Sequence, residues 1–152
     1  MILVSACLCG KPCRYDGRSV PNEAVCAHAN NDEMLQACPE IMGGLFTPRS
    51  PAEIIGGDGT DVLDDKAFVR NQQGENVTQA FILGAQKALM LCLDHGITQA
   101  ILKAKSPSCG CGQIYDGTFS GRLIPGDGVT AALLKQNGIV VHNEISEWDS
   151  II

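Results

Sequence analysis

Nothing in the 152-residue chain approaches the run of ~20 apolar side chains that a bilayer-spanning helix needs. The opening stretch, Met1-Ile-Leu-Val-Ser-Ala-Cys7, has neither a basic leader nor a long apolar core, so it does not read as a signal peptide. Basic residues are in deficit. Eleven Lys and Arg face seventeen Asp and Glu, for a net charge of −6. A protein that wraps duplex nucleic acid carries a basic face, and this balance argues against one. Catalytic signatures are missing as well. There is no H-x-x-x-H pair and no Ser-His-Asp grouping, and His28, His95 and His142 lie outside the loops. Gly56-Gly57-Asp58-Gly59 lacks the Lys-Ser/Thr of a phosphate loop and the strand–helix setting of a dinucleotide fingerprint. No C-x-x-C occurs either, which disfavours a zinc ribbon.

What remains is ordinary globular composition, 45% hydrophobic and 18% charged, in a length suited to one domain. The expectation is a single domain over residues 1–152, cytoplasmic, with one core. Against this background stand eight cysteines. Disulfides are rare in a reducing compartment, so the thiols read as packing, as ligands, or as a nucleophile. Five of them crowd two short loops: Cys7, Cys9 and Cys13 in the first, Cys109 and Cys111 in the second. Spacings of C-x-C and C-x₃-C suit an iron–sulfur cluster held by loops that meet only in the fold.

The pattern along the chain is alternating strand and helix. Strands are expected at 2–6, 33–38, 99–103 and 139–142, and helices at 22–31 (capped by Asn22), 77–95 and 129–136. The helix over 77–95 is the clearest: Val77, Ala80, Phe81, Gly84, Ala85, Ala88, Leu91 and Cys92 recur at helical spacing and Gly96 follows. Ser50 before Pro51 predicts a short helix over 51–55. Val62-Leu63 and Ala67–Arg70, with Asp64-Asp65 between them, predict a small hairpin. Residues 114–121 read as loop or hairpin. The fold class is therefore α/β, a three-layer Rossmann-like domain with a mostly parallel sheet. In such sheets ligands bind beyond the carboxyl ends of the strands. The loops after residues 6, 38 and 103 all lie there and contain Cys7, Cys13, Cys38 and Cys109.

Within that rim Cys7, Cys13 and Cys109 read as ligands, and Cys9 as packing. Cys38 is open between ligand, nucleophile and packed thiol. Glu40, beside Cys38 and before Gly43-Gly44, is a candidate general acid/base, weighed against a solvated loop carboxylate. Ser106 and Ser108 can donate hydrogen bonds to a cluster or substrate. Lys103 and Lys105 can stabilise negative charge, weighed against solvated surface lysines. Arg14 can balance an anionic site or pair with Asp16 on the surface. Cys26 and Cys92 read as packing.

The motifs Ser5-Ala-Cys-Leu-Cys-Gly-Lys-Pro-Cys-Arg-Tyr-Asp-Gly17, Cys38-Pro-Glu40, Gly43-Gly-Leu45, Pro48-Arg49, Lys105-Ser-Pro-Ser-Cys-Gly110, Ile114-Tyr-Asp-Gly-Thr-Phe-Ser-Gly121 and Gly128-Val-Thr-Ala-Ala132 resemble the thiouracil desulfurase family over nearly the whole chain. The resemblance implies a 4Fe–4S cluster held by three cysteines, Cys7, Cys13 and Cys109, with the fourth iron open to substrate sulfur. It also implies conversion of thiouracil to uracil with release of hydrosulfide and no net redox change. Glu40 would carry a proton and Ser106 would position substrate or water, with Ser108, Lys105 and Arg14 as substrate-binding candidates. The implied partner is a small thiolated pyrimidine, base or nucleoside, with no membrane and no duplex nucleic acid. An acidic pI of about 4.9 suits a substrate without phosphate. Two departures matter: Cys9 stands where the family has an aliphatic residue, and Cys111 is additional. Either one, as a fourth ligand, would close the open iron.

Overall fold

Short β-branched and aliphatic runs form the centre of the computed structural model, which describes residues 1–25 and 34–145. Four strands, β1 (Ile2–Ser5), β2 (Met34–Ala37), β5 (Gln99–Leu102) and β8 (Val140–Asn143), build a sheet in the order β2-β1-β5-β8. Every neighbouring pair is parallel, with Leu3 opposite Leu35 and Ala100, and Ala100 opposite Val141. Period-two alternation splits the apolar side chains between two faces. Leu3, Ala100 and Leu102 pack against Ala88 and Cys92 on one side, while Ile2, Val4 and Ile101 pack with Leu8 and Val25 on the other. The expected α/β class with a parallel sheet is what the chain adopts.

Two longer helices cover the first face, α3 (Thr78–Asp94) and α4 (Val129–Gln136). The periodic residues of α3 turn inward: Phe81, Gly84, Ala85, Ala88 and Cys92 are buried. Gly96 follows at φ +66°, a left-handed turn that ends the helix at low steric cost. Among the described residues no helix is long and apolar enough to cross a membrane. Of the helix expected over 22–31, Asn22 accepts from the Val25 N–H at 3.1 Å as a cap should. Residues 23–25 are helical, and the remainder of that helix, with Cys26 and His28, lies outside the described residues, as does Glu33 of the expected second strand.

Two expectations fail between residues 51 and 71. Residues 51–55 are not a helix; Ala52–Ile55 is strand β3, paired antiparallel with β4 (Phe68–Asn71). The Ser50-Pro51 start signal is overridden because Ile54 gains a fully buried place against Val69 and Phe81. The hairpin over 62–70 is absent for the same reason, since 68–71 pairs with 52–55 instead. Val62 and Leu63 end a short helix, α2 (Gly59–Leu63), whose start is closed by a reciprocal capping box between Asp58 and Asp61. The remaining short helix, α1 (Pro39–Met42), follows β2 directly. Residues 113–125 do form a hairpin, with β6 (Gln113–Tyr115) antiparallel to β7 (Leu123–Pro125).

Candidate active site

The chain turns sharply as it leaves β1. Ala6–Cys9 is a 3-10 turn closed by Gly10 at φ +94°, a local order that the Gly- and Pro-rich composition of this loop does not announce. The Cys7 carbonyl accepts from Gly10 N–H at 3.3 Å and Val20 N–H at 3.2 Å, which fixes the start of the loop. After β2, Cys38 caps α1 and Pro39 opens it, placing Glu40 in its first turn. The third loop is the most tightly held. Ser106 Oγ accepts from the Ser108 and Cys109 N–H groups at 3.1 and 3.0 Å. The free N–H groups at the start of α4 then bind loop carbonyls: Val129 to Pro107 at 2.8 Å and Thr130 to Ser108 at 2.9 Å. Helix donors that would otherwise lack partners thereby lock Cys109 in place.

These loops enclose one cavity of about 380 Å³, bordered by Cys7, Cys13, Cys38 and Cys109 together with Glu40, Arg14, Lys103, Lys105 and Ser106. The seven described cysteines are all free thiols. The Cys38 thiol lies 3.7 Å from the Cys13 carbonyl, to which it donates. The hydrogen bond with Cys13 and burial both hold the Cys38 thiol above its ordinary value. For Cys13 the bond with Cys38 pulls down, but the bond with Cys7 and burial together push the thiol up further. Burial pushes Cys109 up to about 12 against its hydrogen bonds with Ser5 and Ser108. Crowded, buried thiols of this kind are neutral without a cation and become thiolates only when one binds.

Of the sequence-derived candidates, one stands apart. Ser108 does not border the cavity; it is 1% exposed and its hydroxyl lies 2.8 Å from the Thr130 hydroxyl. Lys103 borders the cavity but pairs with Glu144 at 3.2 Å. Lys105 borders it with its backbone at φ +70°. Arg14 stacks over the Tyr15 ring at 5.6 Å. Neither of the two additional cysteines borders the cavity. Cys9 packs against the cluster of Ile2, Val4, Cys7 and Leu8, on which Cys13 also packs, and Cys111 donates to the Val141 carbonyl at 3.4 Å and borders a separate small cleft. His95 and His142 are also remote, bonded to Leu91 and Gln99.

Two residues the site depends on carry no signal in sequence spacing. Arg49, only 10% exposed, reaches Glu40 Oε1 at 3.5 Å and donates to the Cys13 carbonyl at 3.1 Å. Burial raises the Glu40 carboxyl above the ordinary carboxylate range, and the Arg49 and Arg14 charges work against that rise. Ser5 accepts from Lys103 N–H at 2.9 Å and also bonds the Cys109 thiol, joining the first and third loops. Both belong to motifs already singled out (Ser5-Ala-Cys and Pro48-Arg49), but only the fold reveals their partners.

Comparison with known proteins places this arrangement. A solved structure described as a [4Fe-4S]-dependent thiouracil desulfidase, TudS, superposes with a TM-score of 0.82 at 46% identity, covering 94% of this chain and 89% of that one. An uncharacterised protein of Bacillus subtilis (strain 168), YbbK, is 48% identical over 149 residues, 97% of this chain and 99% of its own length. The family model for 2-thiouracil desulfurase matches residues 2–146. A match that runs from β1 through β8 takes in all three cysteine loops, and the chain belongs to the 2-thiouracil desulfurase family.

Proposed function

We propose that this protein hydrolyses the C–S bond of a thiolated pyrimidine: thiouracil and water give uracil, hydrosulfide and a proton, with no change in oxidation state. The observation that carries this reading is the convergence of four thiols and Glu40 on one cavity, in a chain similar to a [4Fe-4S]-dependent desulfidase. The donor set fits such a cluster. The thiols come from three loops and surround a space. That distribution suits a polynuclear group better than one zinc ion. The reading takes residues 1–152 as one desulfurase-like domain.

Cys7, Cys13 and Cys109 hold the cluster in this proposal. When bound, the cluster supplies an open iron, a soft Lewis acid matched to sulfur. Cys9 and Cys111 do not border the cavity, and neither is assigned to the cluster in this reading. Cys38 does compete, since its thiol bonds the Cys13 loop. The chain's own residues handle the water and the proton. Glu40, held by Arg49, takes a proton from the water that replaces sulfur at carbon. Both acceptor sites of the Ser106 hydroxyl are used by backbone N–H groups, so its O–H is left to donate to substrate or water. Arg14 and Lys105 add positive charge where hydrosulfide departs. A 380 Å³ cavity is at the low end of the roughly 300–1,000 Å³ range of ligand pockets, which favours a free base over a nucleoside.

Anaerobic reconstitution with iron and sulfide tests the reading. The expected product is a brown protein that releases hydrosulfide from 2-thiouracil, and Glu40→Ala keeps the iron but loses the release. A colourless, iron-free protein after reconstitution overturns it. Cys38→Ser separates the two ligand sets: iron per chain is retained if Cys38 is not a ligand and falls if it is.

A further inference from the structure

One wall of the cavity contains a buried carboxylate that the mechanism above does not use. Glu53, in the middle of β3, borders the cavity and is 8% exposed. A charge removed from water needs partners. Among the described residues Glu53 makes no ion pair within 4 Å; Arg70, its cross-strand neighbour, instead lies over the Phe119 ring at 5.9 Å. Glu53 is satisfied by backbone. Oε1 accepts from Gly117 N–H at 2.9 Å and from Phe119 N–H at 3.2 Å. These bonds hold the hairpin tip with Gly117 at φ +92° and Phe119 at φ +56°. The tip is seated so closely that a Cβ on Gly117 would meet the Ile54 carbonyl at 2.6 Å.

Oε2 is different. It takes no hydrogen bond from any described residue, and it is not among the side-chain atoms sealed from solvent. Phe119, whose backbone the same carboxylate clamps, also borders the cavity. Glu53 and Phe119 therefore border the cavity together, on the wall formed by β3 and the hairpin, with one carboxylate oxygen of Glu53 not used by the protein. An ionised carboxylate accepts hydrogen bonds and donates none. Its complement is a planar ring with an N–H, and the carbon–sulfur carbon of 2-thiouracil lies between two ring N–H groups.

We propose that Glu53 is the specificity-determining residue of the site: Oε2 accepts a ring N–H of the thiolated pyrimidine while the clamped Phe119 ring bounds the pocket beside it. The proposal rests on the desulfurase reading and deepens it. A ring that presents a lone pair or an N-methyl group in place of that N–H binds more weakly, because Oε2 would face it unpaired.

Glu53→Gln is the direct test. Its amide oxygen can keep the two backbone N–H groups, while the amide nitrogen replaces the free acceptor with a donor. The KM for 2-thiouracil and the Kd for uracil, read by calorimetry, are both expected to rise by about tenfold or more, with iron content equal to that of the unsubstituted protein. The unsubstituted protein alone provides a second test. 1-Methyl- and 3-methyl-2-thiouracil each remove one N–H, and one of the two should show the same tenfold rise in KM. Unchanged KM and Kd in Glu53→Gln, or equal KM for 2-thiouracil and both methyl derivatives, overturns the proposal while the desulfurase reading stands. A loss of iron in Glu53→Gln with KM unchanged makes the residue merely structural and also overturns it. If the reconstituted unsubstituted protein releases no hydrosulfide, the desulfurase reading falls and takes the proposal with it.

Discussion

Arg49 divides one guanidinium among four acceptors: Glu40, the Cys13 and Phe46 carbonyls and the Thr47 hydroxyl. Its fork reaches both the carboxylate and the first cysteine loop, a geometry that a lysine's single ammonium does not reproduce. Arg49→Lys should therefore lower kcat roughly ten- to a hundredfold through misplacement of Glu40, with iron content close to normal, and steady-state hydrosulfide release measures it. Cys109 allows a pH prediction for the metal-free protein. Its thiol is held at about 12 in the folded chain, against an ordinary 9.0. Between those values the unfolded chain binds fewer protons than the folded one, so stability falls as pH rises from 9 to 12. Urea melts of the metal-free protein should show that decline, and Cys109→Ser should make it shallower. That Cys7, Cys13, Cys109 and Glu40 gather at one cavity was legible from sequence, because their loops all follow strands of one parallel sheet. Arg49 was not, since an arginine among Thr47, Pro48 and Ser50 looks like a surface cation until its partners are visible.

At the scale of elements, the site depends on a near-contact of two backbones. A Cβ on Gly84 of α3 would lie 2.0 Å from the Pro39 carbonyl, and one on Gly43 would lie 1.9 Å from the Ala80 carbonyl. Helix α1, which presents Glu40, thus rests on α3 with no side chain between them. Gly84→Ala must push α1 off its seat. Overpacking of this kind costs about 1–3 kcal/mol, and here the shift also carries Cys38 and Glu40. A lowered melting temperature together with lost desulfuration is expected, and a Gly84→Ala protein with normal activity would show that the contact does not matter. Helix α3 was readable because its apolar period extends over 17 residues. Strand β3 was not. Four residues carry too little periodicity to outweigh a Ser-Pro helix start, and the partner that makes them a strand is β4, across α2. The hairpin expected over 62–70 failed for the complementary reason: local alternation cannot show that residues 68–71 pair backward to 52–55.

For the molecule as a whole, the parallel order β2-β1-β5-β8 sends three strand ends, and with them every cysteine that borders the cavity, to one rim. This much followed from alternating strand and helix patterns and the rule that parallel strands present their carboxyl ends together. A group bound by loops from three strands also ties those strands to one another. Cluster loading at about a hundredfold over its dissociation constant adds roughly 2.7 kcal/mol, which for a chain of this length raises the melting temperature by about 5–10 °C. Anaerobic calorimetry of the reconstituted and metal-free forms checks this, and identical melting temperatures would mean that the loops hold nothing.

The order of the strands also has a consequence during synthesis. The central strand β1 and its thiols leave the ribosome first, yet Cys109 is made a hundred residues later, and its loop is fixed only when α4 arrives to bind the carbonyls of Pro107 and Ser108. A nascent chain therefore carries Cys7, Cys13 and Cys38 for most of its elongation without Cys109, the third ligand of the proposed set. On the proposed ligand set, delivery of iron and sulfide waits until translation has passed residue 136, the end of α4. A chain stalled short of that point should take up no cluster, however much of the cysteine-rich start has emerged.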